Sequence, residues 1–100
     1  MARIPRYRLD FAVPDRHDIA EPDETARNPT LDHIRAVLAD DGRWERSMLA
    51  PFRPYGQQQR LIVWVDTQDP SRAAIGKAVY EIVDRILPGV TLTDVVLLTR

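Results

Sequence analysis

Cysteine is absent from this 100-residue sequence. That excludes disulfides, thiolate metal sites and cysteine nucleophiles at once. Lysine is nearly absent: Lys77 is the only one, and every other basic residue is arginine. Such a bias reads first as the mark of a GC-rich coding sequence; the alternative is a surface selected for arginine contacts. Glycine is scarce, with four residues, and none of them cluster where a phosphate cradle would need them. No charge sign dominates. The formal net charge is −1, so no overall field draws nucleic acid or an anionic membrane. Long apolar runs are missing too. The runs Leu61-Ile62-Val63-Trp64-Val65 and Val95-Val96-Leu97-Leu98 fall far short of the roughly 20 residues that span a bilayer. Arg3, Arg6 and Arg8 precede no stretch resembling a signal peptide. A soluble, cytoplasmic protein that does not engage membranes is the expectation.

What is present suits one folded unit over residues 1–100. The apolar share of 44% and charged share of 29% are ordinary globular values. A chain of this length hides roughly 60–70% of its unfolded surface, enough for a core without staples.

The organising stretch is residues 60–100. Its apolar run, rich in β-branched residues and closed by Asp66, predicts a strand covered on both faces. Asp69-Pro70 opens a helix there, and Pro88-Gly89 closes it. Ile75, Val79, Ile82, Val83 and Ile86 share one side of that helix. Gly76 weakens it by about 1 kcal/mol relative to alanine, and a close approach to a sheet would explain it. Residues 92–99 form the last strand.

Ahead of this unit, residues 5–13 alternate. Tyr7, Leu9, Phe11 and Val13 fall on one face; Arg6, Arg8, Asp10 and Ala12 fall on the other. Residues 15–27 are polar and proline-flanked, with Ile19 the one large apolar residue, and are expected to be an undocked loop. Asn28 caps a helix with Pro29 at its first position and Leu31, Ile34, Val37 and Leu38 as its apolar stripe; Gly42 ends it in a left-handed turn. Residues 43–49 alternate as an edge strand, although Trp44 and Met48 are also one helical turn apart. Residues 50–59 are a loop forced by Pro51, Pro54 and Gly56.

The order strand, helix, strand, strand, helix, strand predicts an α+β two-layer sandwich. The simplest version is ferredoxin-like βαββαβ: a four-stranded antiparallel sheet, first and third strands central, both helices on one face. The likeness is to an architecture that many functions share.

The search for chemistry returns little. His17 and His33 are the only histidines, and their spacing to Asp15, Asp18 and Asp32 matches no ligand motif. Ser47 and Ser71 lie in no strained elbow, so no nucleophile stands out. The turn Asp66-Thr67-Gln68-Asp69-Pro70 has two further carboxylates and no glycine, which argues against nucleotide binding. No catalytic residue, metal or cofactor is therefore assigned.

The leading expectation is a non-catalytic protein-interaction or regulatory module, acting as a homodimer or complex subunit through the open face of its sheet. Arg8, Ile62 and Trp64 are the candidate residues on that face, with Arg8 over the Trp64 ring. Phe52, Arg53 and Tyr55 are the candidates in the 50–59 loop, where tyrosine and arginine suit an interface. One alternative is a cofactor-free dimeric α/β-barrel enzyme for a small apolar substrate, using Tyr7, Asp10, His17, His33 or Tyr55 in acid–base work. Another is a single-stranded nucleic-acid binder stacking bases on Trp64 beside Arg6 and Arg8. The aromatics Tyr7 and Phe11 sit with the core set, which counts against it.

Without thiolates or clustered histidines, folding should not depend on a metal ion. The melting temperature is expected to be the same in buffer and in excess EDTA; a fall of several degrees would overturn this.

Overall fold

In the computed structural model, residues 4–20, 27–53, 56–68 and 71–99 are described. They form β1 (Arg6–Ala12), α1 (Pro29–Asp40), β2 (Arg46–Phe52), β3 (Arg60–Asp66), α2 (Arg72–Ile86) and β4 (Thr91–Thr99). The strands make one four-stranded sheet in the order β2-β3-β1-β4, with every neighbouring pair antiparallel. The architecture is α+β, and its element order is consistent with a ferredoxin-like unit.

Period-two alternation sorts the strands. Tyr7, Leu9, Phe11 and Val13 of the β1 stretch, and Leu61, Val63 and Val65 of β3, are all at most 3% exposed. Register pairs them across the sheet: Tyr7 with Val65, Leu9 with Val63, Phe11 with Leu61. The two helices cover this face with Leu31, Ile34 and Leu38 from α1 and Ile75, Val79, Ile82 and Val83 from α2, in one core cluster. Gly76 fits the close approach anticipated for it. A Cβ there would lie 3.3 Å from side-chain atoms of Leu92 and Val95, so β4 runs directly beneath α2.

Helix boundaries follow their caps, with two corrections. The Asn28 side chain accepts from the backbone N–H groups of Thr30 and Leu31, as its sequence position suggested. Helix α2 does not open at Asp69-Pro70, which lie outside the described residues; it begins at Arg72, and the Ser71 hydroxyl caps it by accepting from the Ala74 N–H. Nor does Gly42 end α1 in a left-handed turn. The glycines with positive φ are Gly56 and Gly89, and the α1 cap is Asp41, whose N–H bonds the Leu38 carbonyl. The Arg43 guanidinium clamps the Asp41 carboxylate at 2.6 Å, and this hydrogen bond holds the Asp41 carboxyl below its ordinary range.

The second strand is displaced from its expected place. It starts at Arg46 and runs through Pro51 to Phe52, so the proline that suggested a loop sits inside a strand. Hydrogen-bond parity explains this. The Val13 N–H donates to the Gln59 carbonyl and the Thr67 N–H to the Pro5 carbonyl, each at 2.9 Å. Odd-numbered residues along β3 therefore bond to β1, and even-numbered ones turn to β2. Their partners in β2 are Arg46, Met48, Ala50 and Phe52. Pro51 falls in the other set, with its ring nitrogen at the outer edge, where no donor is needed. Trp44 precedes the strand and is core: it is 7% exposed, and its indole Nε1–H donates to the Leu38 carbonyl at 2.7 Å.

The stretch after β1 also differs from the undocked loop read from its polarity. Ile19 is buried. Gln59, itself only 4% exposed, holds the segment with its side-chain amide: Nε2 donates to the His17 carbonyl at 2.6 Å, and Oε1 accepts from the Ile19 N–H at 3.5 Å. Arg16 Nη2 and His17 Nε2 both donate to the Pro88 carbonyl, at 2.6 and 2.8 Å. Gly89 beside it has φ 94°, and a side chain there would strike the Arg16 guanidinium. Residues 15–20 are therefore docked; residues 21–26 lie outside the described set.

Gln59→Leu keeps the volume but strands these backbone groups. It is expected to destabilise the fold by about 1–3 kcal/mol in urea titration and to accelerate amide exchange at Ile19, whereas Gln57→Ala, at an exposed position, does neither. Unchanged stability and exchange in Gln59→Leu would show that the amide does not hold the segment.

Candidate interaction face

The sheet face away from the helices is built in rows, because register partners project to the same side. Met48, Trp64, Arg8 and Val96 form one row across all four strands. Ala50, Ile62, Asp10 and Asp94 form the next, and Phe52, Arg60, Ala12 and Thr91 the one beyond. On the other side of the Trp64 row lie Arg46, Asp66 and Arg6.

These rows divide the face lengthwise. The β2–β3 half carries Met48, Ala50, Phe52, Ile62 and Trp64 as one contiguous apolar stripe. Met48 is 47% and Phe52 51% exposed, while Ile62 and Trp64 are half-buried. The β1–β4 half is mostly polar. Arg6 makes a two-pronged bond to Asp66, with Nε to Oδ1 at 2.7 Å and Nη2 to Oδ2 at 3.0 Å. That hydrogen bond, then the carboxylate charge, raises the Arg6 pKa above its ordinary value. Arg8 Nε lies 3.2 Å from Asp10 Oδ1. Both atoms are buried without a well-aligned hydrogen bond, so the contact is an ion pair by distance alone. Among the described residues, Arg46, Arg60 and Asp94 have no charged partner.

The structure brings Arg8, Ile62 and Trp64 onto this face, with Arg8 and Trp64 as direct register partners. The expected stacking of Arg8 over Trp64 is corrected: Arg8 turns to Asp10, and the cation–π contact among the described residues is Arg43 over Trp44, 5.3 Å from its centroid. Phe52 joins the same face at the end of β2 rather than projecting from a loop. Arg53 follows it, exposed, at a shallow cleft of about 190 Å³ shared with Ile19, Pro51 and Gln59. Tyr55 lies outside the described residues. Sequence reasoning missed Met48 and Ala50 as members of the stripe. Their signal was the alternation from residue 44 onward, cut short by reading Pro51 as a break.

The acid–base candidates do not converge. Tyr7 is buried under the helices, Asp10 pairs with Arg8 on the opposite face, His17 bonds Pro88 at the sheet's end, and His33 is exposed on α1. Among the described residues, no group of three or more histidine and carboxylate side chains is placed to hold a metal. No helix among them is long and apolar enough to cross a membrane. Nor is there a stacking pair for bases: Tyr7 and Phe11 are 3% and 0% exposed, which leaves Trp64 alone on the central strands' open side.

Comparison with protein-family models, with curated proteins and with solved structures finds no match for this chain.

Proposed function

We propose that this protein is a non-catalytic protein-interaction module, a homodimer or complex subunit that associates through the open face of a ferredoxin-like sheet. The observation carrying this reading is the stripe of Met48, Ala50, Phe52, Ile62 and Trp64, where large apolar side chains stand half in water beside a core whose own members are sealed. A contiguous exposed apolar patch is the usual mark of a binding surface. A cysteine-free chain without a membrane-crossing helix among its described residues suits a cytoplasmic setting. The reading as an apolar-substrate enzyme has less support, because its described candidates, Tyr7, Asp10, His17 and His33, lie on different sides of the fold.

Magnitudes say what such a face can do. Covering a large side chain already half-buried contributes about 1 kcal/mol, so the stripe supplies a few kcal/mol in all. Association itself costs roughly 4–15 kcal/mol. Polar contacts at the margins must therefore decide the strength and specificity of the complex.

Hydroxyl-radical footprinting tests the surface without assuming a partner. In cells of the source organism, Met48, Phe52 and Trp64 should be oxidised several-fold more slowly than in dilute purified protein, while buried Trp44 reacts slowly in both. Equal rates at the three open-face residues in both settings would contradict the proposal.

A further inference from the structure

Resting on the reading of the open face as an association surface, we infer that two copies of this chain meet on it face to face, about a two-fold axis that runs across the strands between the Trp64 row and the Ile62 row. Arg8 of each copy then lies over Asp10 of the other.

The charges at the centre of the face carry the inference. Arg8 and Asp10 stand in these two neighbouring rows, and their side chains keep 36% and 20% of their surface in water. Their own contact is an ion pair by distance alone, because Arg8 Nε and Asp10 Oδ1 make no aligned hydrogen bond. Asp10 also faces Asp94 directly across β1 and β4, and like charges so placed repel. Among the described residues, one arginine contacts this carboxylate pair. A second positive charge from outside would relieve it. The two-fold axis supplies that charge in both copies at once, because it exchanges the Trp64 row of each with the Ile62 row of the other.

The apolar stripe obeys the same operation. β2 and β3 of each copy lie over the same strands of the other, which sets Trp64 over Ile62 and Met48 over Ala50. Other placements lose one match or the other. An axis along the strands, through the middle of the sheet, lays Trp64 over Arg8 and Ile62 over Asp10, apolar group on charge. An axis across the strands but lying on one of the central rows sets Arg8 against Arg8, or Asp10 against Asp10, at a cost in affinity. Stacked sheets cross at roughly 30°, which keeps the match at the centre of the contact and releases it toward the margins. The same patch is used by both copies, so the interface is closed and assembly stops at the dimer.

A charge swap tests the occupant and the axis together. By sedimentation velocity, the purified wild-type chain should dimerise. Asp10→Arg alone should weaken the dimer by about tenfold or more, because arginine then meets Arg8 at both contacts. Arg8→Asp/Asp10→Arg keeps the net charge and should dimerise nearly as well as wild type. Mixed with isotope-labelled wild type, however, the swapped chain meets like charges at both contacts, and native mass spectrometry should find the heterodimer about fivefold or more below its statistical share. Circular dichroism checks that each chain is folded. If the swapped chain is not, Arg8→Asp and Asp10→Arg, each weakened alone, should recover near wild-type affinity when mixed. The inference is overturned by an Asp10→Arg dimer as strong as wild type, by a folded swapped chain that stays monomeric or mixes freely with wild type, or by single variants that do not recover together. A wild-type chain that stays monomeric at high micromolar concentration overturns it too. If that monomer is accompanied by protection of Met48, Phe52 and Trp64 in cells, the second copy is wrong and the interaction face stands. If protection is missing as well, both readings fall.

Discussion

The pairing of β1 with β3 is the constraint on which the rest of this structure depends. Tyr7 opposite Val65, Leu9 opposite Val63 and Phe11 opposite Leu61 give the two helices an apolar floor. A slip of one residue would turn the floor over. Arg8 and Asp10 would then enter the core, at a cost of several kcal/mol per unpaired charge, while Leu9 entered water. The same register sends the even-numbered backbone groups of β3 toward β2. It thereby fixes where a proline can sit in the edge strand and aims Met48, Ala50 and Phe52 onto the open side.

How far this was legible in the sequence depends on which physical signal each element carried. β1 and α2 announce themselves by periodicity, and the continuous apolar run of β3 by its length and β-branching. Their faces followed correctly, because Leu61, Val63 and Val65 fill space under two helices better than Ile62 and Trp64 would. β2 was misplaced because proline signals a break in a strand read alone. Only the sheet shows that Pro51 turns its nitrogen to the outer edge. Trp44 and Gln59 were missed as interior residues for a related reason. Trp44 alternates in sequence with Arg46 and Met48, which stand on the exposed side, and Gln59 belongs to no periodic stretch; each is tied to backbone outside its strand by a side-chain hydrogen bond, from Trp44 to Leu38 and from Gln59 to His17. Gln59 also explains why a polar segment with one isoleucine docks: its side-chain amide supplies the partners that water would otherwise provide.

The open face shows how a small fold becomes a surface. Its central ion pairs, Arg6–Asp66 and Arg8–Asp10, let charged residues occupy the middle of the sheet without repelling a partner. On the proposed reading the apolar stripe supplies attraction without direction, and polar contacts at its margins supply direction with little attraction. Neither suffices against the cost of association. Together they are what the proposed association requires of this face.

The most direct test of that claim reads Trp64 itself. With Trp44 replaced by phenylalanine, Trp64 is the only tryptophan left to emit. Its acrylamide quenching and emission maximum can be followed from nanomolar to high micromolar protein. On this account quenching weakens and emission moves to the blue as the chains associate, because the ring leaves water. A quenching constant and emission maximum unchanged across the whole range, in a sample whose sedimentation shows association, would mean that the contact lies elsewhere and that the open face is not the surface this protein uses.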